Sequence, residues 1–490
     1  MTKKKRGLVM NKGKYLTDYL KNNAKKIGLK KALICQDKTL NWSELYADSN
    51  NIESFLRKHF GDTGKQHVIA IILPNSWQFV VIYYGIISSG HMAMPIDVSF
   101  KKLEIDNIIN TTKPSLIITD HKHRNYFSSS IKSIIVDDLY RKKFRPVSYK
   151  NEFLPPEQQI STLFYASGTT GNPKVIPNTH YNQLWDIESI AKPMGWTGND
   201  TIFIPLPLSH RHGLVIGLLG SLFHGNTVFL QNFFNPDSAL ELLDSGKISM
   251  FLGVPAIYKK LMDHNPEKYY DLNKVRLFES GSSHLSPLLW QEFKDRFGAE
   301  IFDRYGTSET GTIALNTLSE RSPGVFGCLP KGVKIRIENN EELSTKSPGL
   351  FPGYYKNEKA TKANFASDGW WRSGDIFLKE NNKLKLKSRI QEKIMKNGYL
   401  VNPRDVEWAM LQNSKIKEIY VTGLQNKESL NDKILFFIVS DMSNREIQEY
   451  YKKNLPASWR PDTVFLISNI PKTLTGKPSL AKLMSMVNVG

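Results

Sequence analysis

The sequence predicts an α/β protein. We expect a large N-terminal domain of α/β subdomains with parallel-rich sheets and a β-rich subdomain, then a small α+β C-terminal domain. Three observations carry this. Short β-branched runs alternate with longer amphipathic stretches through the first two thirds of the chain, the pattern of β-α-β units. From about residue 333 the pattern changes to short strands separated by turn residues. The last hundred or so residues then alternate again, over a length suited to one small domain.

Taken in order, strands are expected at 68–73, 92–96 and 115–119, with helices at 77–88 and 103–111 between them. An apolar strand at 162–165 runs into a polar loop, and a helix follows at 181–190. Strands recur at 201–205, 228–230, 250–253 and 275–279. The β-rich part comprises 333–338, 342–347, 371–378 and 383–388, and the C-terminal part 418–423, 433–439, 445–454 and 464–467. The composition shift places the boundary near 388–392, giving domains 1–388 and 389–490.

Composition narrows the class. The chain has 490 residues, of which 40% are hydrophobic and 23% charged. At about 150 residues per domain it holds two or three folding units and buries a core without disulfides. A disordered tail, a collagen-like fibre and a disulfide scaffold are excluded. The net charge is +19, spread mainly as lysines along the chain, which reads as a solvated surface that also attracts anionic substrates. The basic run Lys3–Arg6 reads as a frayed terminus rather than a nucleic-acid arm. The two cysteines, Cys35 and Cys328, form no framework and match no zinc spacing, so a cytoplasmic location is expected. No signal-peptide pattern follows the terminus, and the apolar runs 67–73 and 79–87 are too short to span a bilayer.

The strongest chemical signal is Tyr165-Ala166-Ser167-Gly168-Thr169-Thr170-Gly171-Asn172-Pro173-Lys174. Backbone N–H groups in a glycine-rich loop, with hydroxyls beside them, cradle phosphate oxygens. Lys174 adds a point charge. The spacing is not that of the triphosphatase P-loop.

This block resembles the phosphate-binding signature of the adenylate-forming (AMP-binding) superfamily, in particular its acyl-CoA synthetase branch. Further segments match that superfamily in order along nearly the whole chain. Pro207-Leu208-Ser209-His210-Arg211-His212-Gly213-Leu214 is similar to the family's P-x-x-H-x-x-G-L segment, whose histidine sits beside the acyl pocket. Alone, His210 reads as a hydrogen-bonded structural residue. Residues 276–283 resemble the strand and turn that pack on adenine, where small Gly281 and Ser282 let a flat base approach. Tyr305-Gly306-Thr307-Ser308-Glu309 resembles the Y-G-x-T/S-E motif. Tyr305 then offers a stacking ring, Gly306 the close turn, Ser308 a hydroxyl, and Glu309 a carboxylate for Mg²⁺. Asp375, in the Gly374-Asp375 motif, would accept from the ribose hydroxyls, and Arg389 would hold the ribose or α-phosphate. Residues 353–355 match a segment to which no chemistry is assigned.

Residues 389–394 and 398–403 resemble the hinge and opening motif of a mobile C-terminal domain. Residues 471–477, ending in Gly476-Lys477, resemble the C-terminal signature with its catalytic lysine. Departures are Val175, Ser209, Gln391 at the hinge, and Leu480.

The resemblance implies an ATP-dependent ligase. A carboxylate attacks the α-phosphorus of ATP, pyrophosphate leaves, and a thiol then attacks the acyl-adenylate. Lys477, His210 and Glu309 are the catalytic candidates. Ser167, Gly168, Thr169, Thr170, Gly171 and Lys174 would bind phosphates. The expected acceptor is coenzyme A. The alternative is a free-standing adenylation enzyme that loads the phosphopantetheine arm of an acyl or peptidyl carrier protein. Too little chain follows Lys477 to hold a fused carrier. A non-catalytic nucleic-acid-binding protein on the same fold is a third reading, and the intact motif set argues against it. The acid stays open among aryl, medium-chain fatty and short dicarboxylic acids. Arg211, His212, Lys260 and Arg276 are the cations that could receive a second carboxylate.

Overall fold

The computed structural model describes residues 13–61, 64–128, 131–140, 144, 154–166, 174–390, 394–396, 399–424, 432–472 and 478–487. It divides into two compact units, residues 1–334 with 345–370, and residues 335–344 with 371–490.

The first unit holds a six-stranded and an eight-stranded sheet, as the alternation predicts. Val68–Ile72 is buried at every position, so both faces of its sheet are covered, the condition for a parallel sheet. Its neighbours are Leu116–Thr119 on one side and Met92–Pro95 on the other, both parallel to it. Between the strands runs the helix Trp77–Ser88, started by Ser76, whose hydroxyl accepts from the Phe79 N–H. Ile160–Ala166 joins parallel to Met92–Pro95 and then pairs antiparallel with Lys174–Thr179. The sequence predicts only the first strand of that hairpin. The second was hidden because Pro177 and two polar residues interrupt its β-branched run, although Val175 and Ile176 are buried.

The eight-stranded sheet carries Thr201–Ile204, Met250–Gly253, Leu277–Ser280 and Ile301–Thr307 as parallel neighbours, and Gly311–Leu315 returns antiparallel at its edge. Beyond Thr201–Ile204 the chain turns through residues 205–211 into the π-helix His212–Leu219, buried at every position. Ligands of such sheets collect beyond the carboxyl ends of the strands. Asp97, Gly281 and the 307–310 turn lie at strand ends of that kind, and His210 on the turn that follows another.

In the second unit, Trp371–Glu380 and Lys383–Arg389 form an antiparallel hairpin that places Asp375 opposite Arg389. The boundary expected at 388/389 falls before the last residue of this hairpin, all of which belongs to the second unit. Further on, Ile416–Leu424, Lys433–Ser440 and Thr463–Leu466 make a three-stranded sheet packed on the helices Pro403–Met410 and Asn444–Asn454. Asn402 caps the first of these helices by accepting from the Arg404 N–H.

Candidate active site

His210 stands on the turn between Thr201–Ile204 and the π-helix, with its backbone N–H donated to the Pro207 carbonyl. Its Nε2 lies 3.2 Å from Oδ2 of Asp97, an approach bent away from a straight hydrogen bond. Asp97 follows Met92–Pro95 and is 6% exposed. Its Oδ2 also accepts from the Ser209 hydroxyl at 2.9 Å, and its Oδ1 accepts from the Ser99 N–H and hydroxyl. Burial opposes the charge on Asp97, but His210 and Ser99 outweigh it and hold the carboxyl below the ordinary carboxylate range. Sequence reasoning did not single out Asp97. Its one signal was a charged residue directly after an apolar strand.

Two residues on, His212 is drawn into a buried network. Its Nε2 is 2.8 Å from Oε2 of Glu279, whose Oε1 accepts from Arg304 Nε at 2.8 Å. Ser282 Oγ lies 3.2 Å from the other ring nitrogen. Glu279 is fully buried, and burial alone would raise its pKa. The charges and hydrogen bonds of His212 and Arg304 reverse that, so it is lowered. Burial lowers the pKa of His212 in turn, against the pull of Glu279.

Gly281, expected to admit a base, has a use within the fold. A Cβ there would stand 2.9 Å from Arg304 Nη2, so glycine leaves room for the guanidinium. Ser282 adopts φ +66, a left-handed conformation that an L-residue holds only when its surroundings enforce it. Among the described residues the buried hydroxyls of Ser280 and Ser283 beside this turn have no partner.

The 307–310 turn is closed by paired Thr307 and Thr310 hydroxyls, 3.0 Å apart. Gly306 is required here, because a Cβ would collide with the Gly311 carbonyl. Ser308 and Glu309 are half-buried at the tip, and Tyr305 is buried with its ring 6.0 Å from that of Phe326. Glu309 Oε1 accepts from the Tyr354 phenol at 2.9 Å, and Lys174 Nζ sits 5.0 Å over the same Tyr354 ring. Tyr354 thus joins Lys174, at the end of the segment expected to bind phosphate, to the carboxylate of the Y-G-x-T/S-E motif. Burial, then the Glu309 charge, pushes its phenol pKa up, so it stays a donor. Sequence reading had assigned this tyrosine no chemistry.

The cations proposed for a second carboxylate are engaged elsewhere. Arg276 forks onto Asp200 at the amino end of its strand, with contacts of 2.8 and 2.6 Å, which removes it from the pocket. His212 belongs to Glu279. Lys260 Nζ lies 5.9 Å from the Phe234 ring centre. Arg211 is buried against Asp186 and Asn178, and among the described residues its Nη2 finds no partner.

In the second unit, Arg389 Nε lies 3.1 Å from Oδ1 of Asp375, which is 4% exposed. Gly374, at φ +73, donates its N–H to Glu342. Ser167, Gly168, Thr169, Thr170, Gly171, Gln391, Gly398 and Lys477 lie outside the described residues.

Among the described residues no group of three or more His, Cys, Asp or Glu side chains is placed to hold a metal ion. No helix among them is long and apolar enough to cross a membrane.

The profile for the AMP-binding enzyme family matches residues 20–355, and that for the AMP-binding enzyme C-terminal domain matches 405–477. The mitochondrial malonate–CoA ligase of Homo sapiens is 26% identical, over 91% of this chain and 88% of its own. The oxalate–CoA ligase of Arabidopsis thaliana is 27% identical, over 94% and 96%. Among solved structures, ATP-bound MatB from Rhodopseudomonas palustris superposes with a TM-score of 0.88 at 20% identity, covering 96% of this chain and 98% of that one. The o-succinylbenzoate CoA synthetase of Bacillus subtilis, holding its acyl-adenylate, gives 0.84 at 24% identity, over 95% and 97%.

Proposed function

The chain belongs to the AMP-binding enzyme family, and from that premise we propose that it is an acid–CoA ligase acting through an acyl-adenylate. The observation that carries this is the convergence of Lys174 and Glu309 on Tyr354. A cation and an oxygen ligand at one point suit a triphosphate and its Mg²⁺. Mg²⁺ takes one or two carboxylates and completes its shell with phosphate and water. Glu309 would supply that carboxylate, which fits described residues that form no acidic cluster. The ion, when bound, neutralises charge on the leaving pyrophosphate.

The chain's own residues do the rest. Lys174 draws phosphate oxygens to the loop. His210 faces the acid. Asp375 and Arg389 receive the ribose. Lys477 supplies an ammonium to the oxygens between acid and α-phosphate as charge spreads over them. The carboxylate oxygen bonds to the α-phosphorus, and pyrophosphate departs. The thiol of coenzyme A then bonds to the acyl carbon, and AMP leaves with the electron pair. The segment from residue 389 onward is proposed to move between these half-reactions. The named relatives are CoA ligases, which supports coenzyme A and lends no support to a carrier protein. The free thiols Cys35 and Cys328 support a reducing, cytoplasmic setting.

A second reading concerns the acid. Two of the relatives are named for malonate and oxalate. Most of the cations that could receive a second carboxylate here are already paired, and a buried anion without a partner is costly. Arg211 Nη2 keeps a short diacid in play. The test is incubation with Mg-ATP, coenzyme A and a panel of aryl, fatty and dicarboxylic acids, reading pyrophosphate and thioester by mass spectrometry. One acid class giving both products supports the reading. ATP binding with neither product across the panel counts against it.

A further inference from the structure

We infer that Asp97 is the positioning residue for His210, fixing which ring nitrogen faces the acyl pocket. The inference rests on the ligase reading for what His210 does, but its geometry stands alone. Asp97 follows a strand of the six-stranded sheet, and His210 follows a strand of the eight-stranded one, so their contact ties the two sheets together.

Oδ1 of Asp97 is saturated by Ser99, which leaves Oδ2 for Ser209 and His210. Among the described residues His210 is the one basic side chain paired with this buried carboxylate. A buried carboxylate is stable only when its charge is answered, so Nε2 carries a proton toward it. The partner of one ring nitrogen decides the state of the other. With Nε2 buried 3.2 Å from Oδ2 of Asp97, on a side chain 28% exposed, Nδ1 is the nitrogen we assign to the pocket.

A merely structural Asp97 would instead anchor the 97–99 turn and the Ser209 hydroxyl, with His210 a bystander. Asp97→Asn separates the two roles. The amide oxygen can still accept from Ser99, but an NH₂ group now meets Nε2. The ring must then take the Nδ1–H form, presenting a donor where the wild type in its neutral state presents an acceptor.

The experiment uses the full chain in four forms: wild type, Asp97→Asn, His210→Ala and the double variant. Long-range ¹H–¹⁵N NMR, with His210→Ala giving the assignment, reads the tautomer. Acid-dependent pyrophosphate release reads kcat and KM. The wild type is expected to carry its proton on Nε2, and Asp97→Asn to move it to Nδ1. In Asp97→Asn kcat should fall about 10- to 100-fold, as when a carboxylate orienting a metal-bound histidine is removed, with KM for ATP unchanged. In the His210→Ala background the same change should shift kcat by less than about twofold.

Equal losses in both backgrounds, or a wild-type ring protonated on Nδ1 alone, overturn the proposal. The wild-type spectrum decides even where Asp97→Asn does not fold. If no acid releases pyrophosphate from the wild type, the ligase reading fails separately, and the tautomer comparison still judges Asp97.

Discussion

The Tyr354 phenol donates to Glu309 at 2.9 Å, across 45 residues of sequence. The contact aims the carboxylate, and the Phe351 N–H fixes its backbone by donating to the Glu309 carbonyl at 2.7 Å. Tyr354→Phe keeps the ring under Lys174 and removes only the hydroxyl. A hydrogen bond to a charged group contributes about 1.5–3 kcal/mol. We expect kcat/KM for Mg-ATP to fall about tenfold or more while the melting temperature moves little. Titration of the rate with Mg²⁺ checks it, and Glu309→Gln should cause a larger loss.

The His212–Glu279–Arg304 network is buried, so breaking it leaves a buried charge. Glu279→Leu strands Arg304 and should destabilise the first unit by about 3–5 kcal/mol. Replacing Arg304 with Met as well should recover part of that. Urea unfolding of the single and double variants measures both.

Buried histidines set the acid limit of stability. Burial lowers His91 and His224 to about 4 and His180 to about 3. The unfolded chain takes up these protons near pH 6.5 and the folded chain does not, so stability is lost as pH falls from 6.5 toward 4 and 3. Asp303 works the other way. Burial raises it to about 7, so its contribution is full below the unfolded value near 3.8 and is lost as pH rises toward 7. Three histidines outweigh one aspartate, so the melting temperature should climb between pH 4 and 6.5. Asp303→Asn should steepen that climb, read by calorimetry across the range.

Asp375 is nearly buried, faces Arg389 across a hairpin, and is proposed to accept from the ribose. A site built to bond a hydroxyl rejects an analogue lacking it. Wild type should therefore prefer ATP over 2′-deoxy-ATP, and Asp375→Ala should erase the preference while raising KM for ATP about tenfold or more. Competition kinetics with the two nucleotides tests this.

Much of the fold was legible because β-α-β alternation is a local pattern. The strands at 201–204, 250–253 and 277–280 fall within three residues of the expected bounds. The Lys174–Thr179 strand escaped because its burial comes from tertiary packing, which Pro177 conceals. The site divides the same way. Lys174, His210, Glu309, Asp375 and Arg389 sit in motifs with recognisable spacing. Asp97, Glu279, Arg304 and Tyr354 do their work through partners 45 or more residues away or on another strand, which no spacing reveals. A lone glutamate inside the buried strand Leu277–Ser280 was the available hint. Arg276 misled for a related reason. One residue before the strand, it lies at the wrong end for ligand contact.

The most direct test of the ligase account is acid-dependent exchange of labelled pyrophosphate into ATP, in wild type and Lys477→Ala, with ATP binding measured alongside. The account predicts exchange only when a suitable acid is present, and its loss in the variant by a factor of about 100 or more with ATP still bound. Acid-independent exchange, or full exchange in Lys477→Ala, would contradict it.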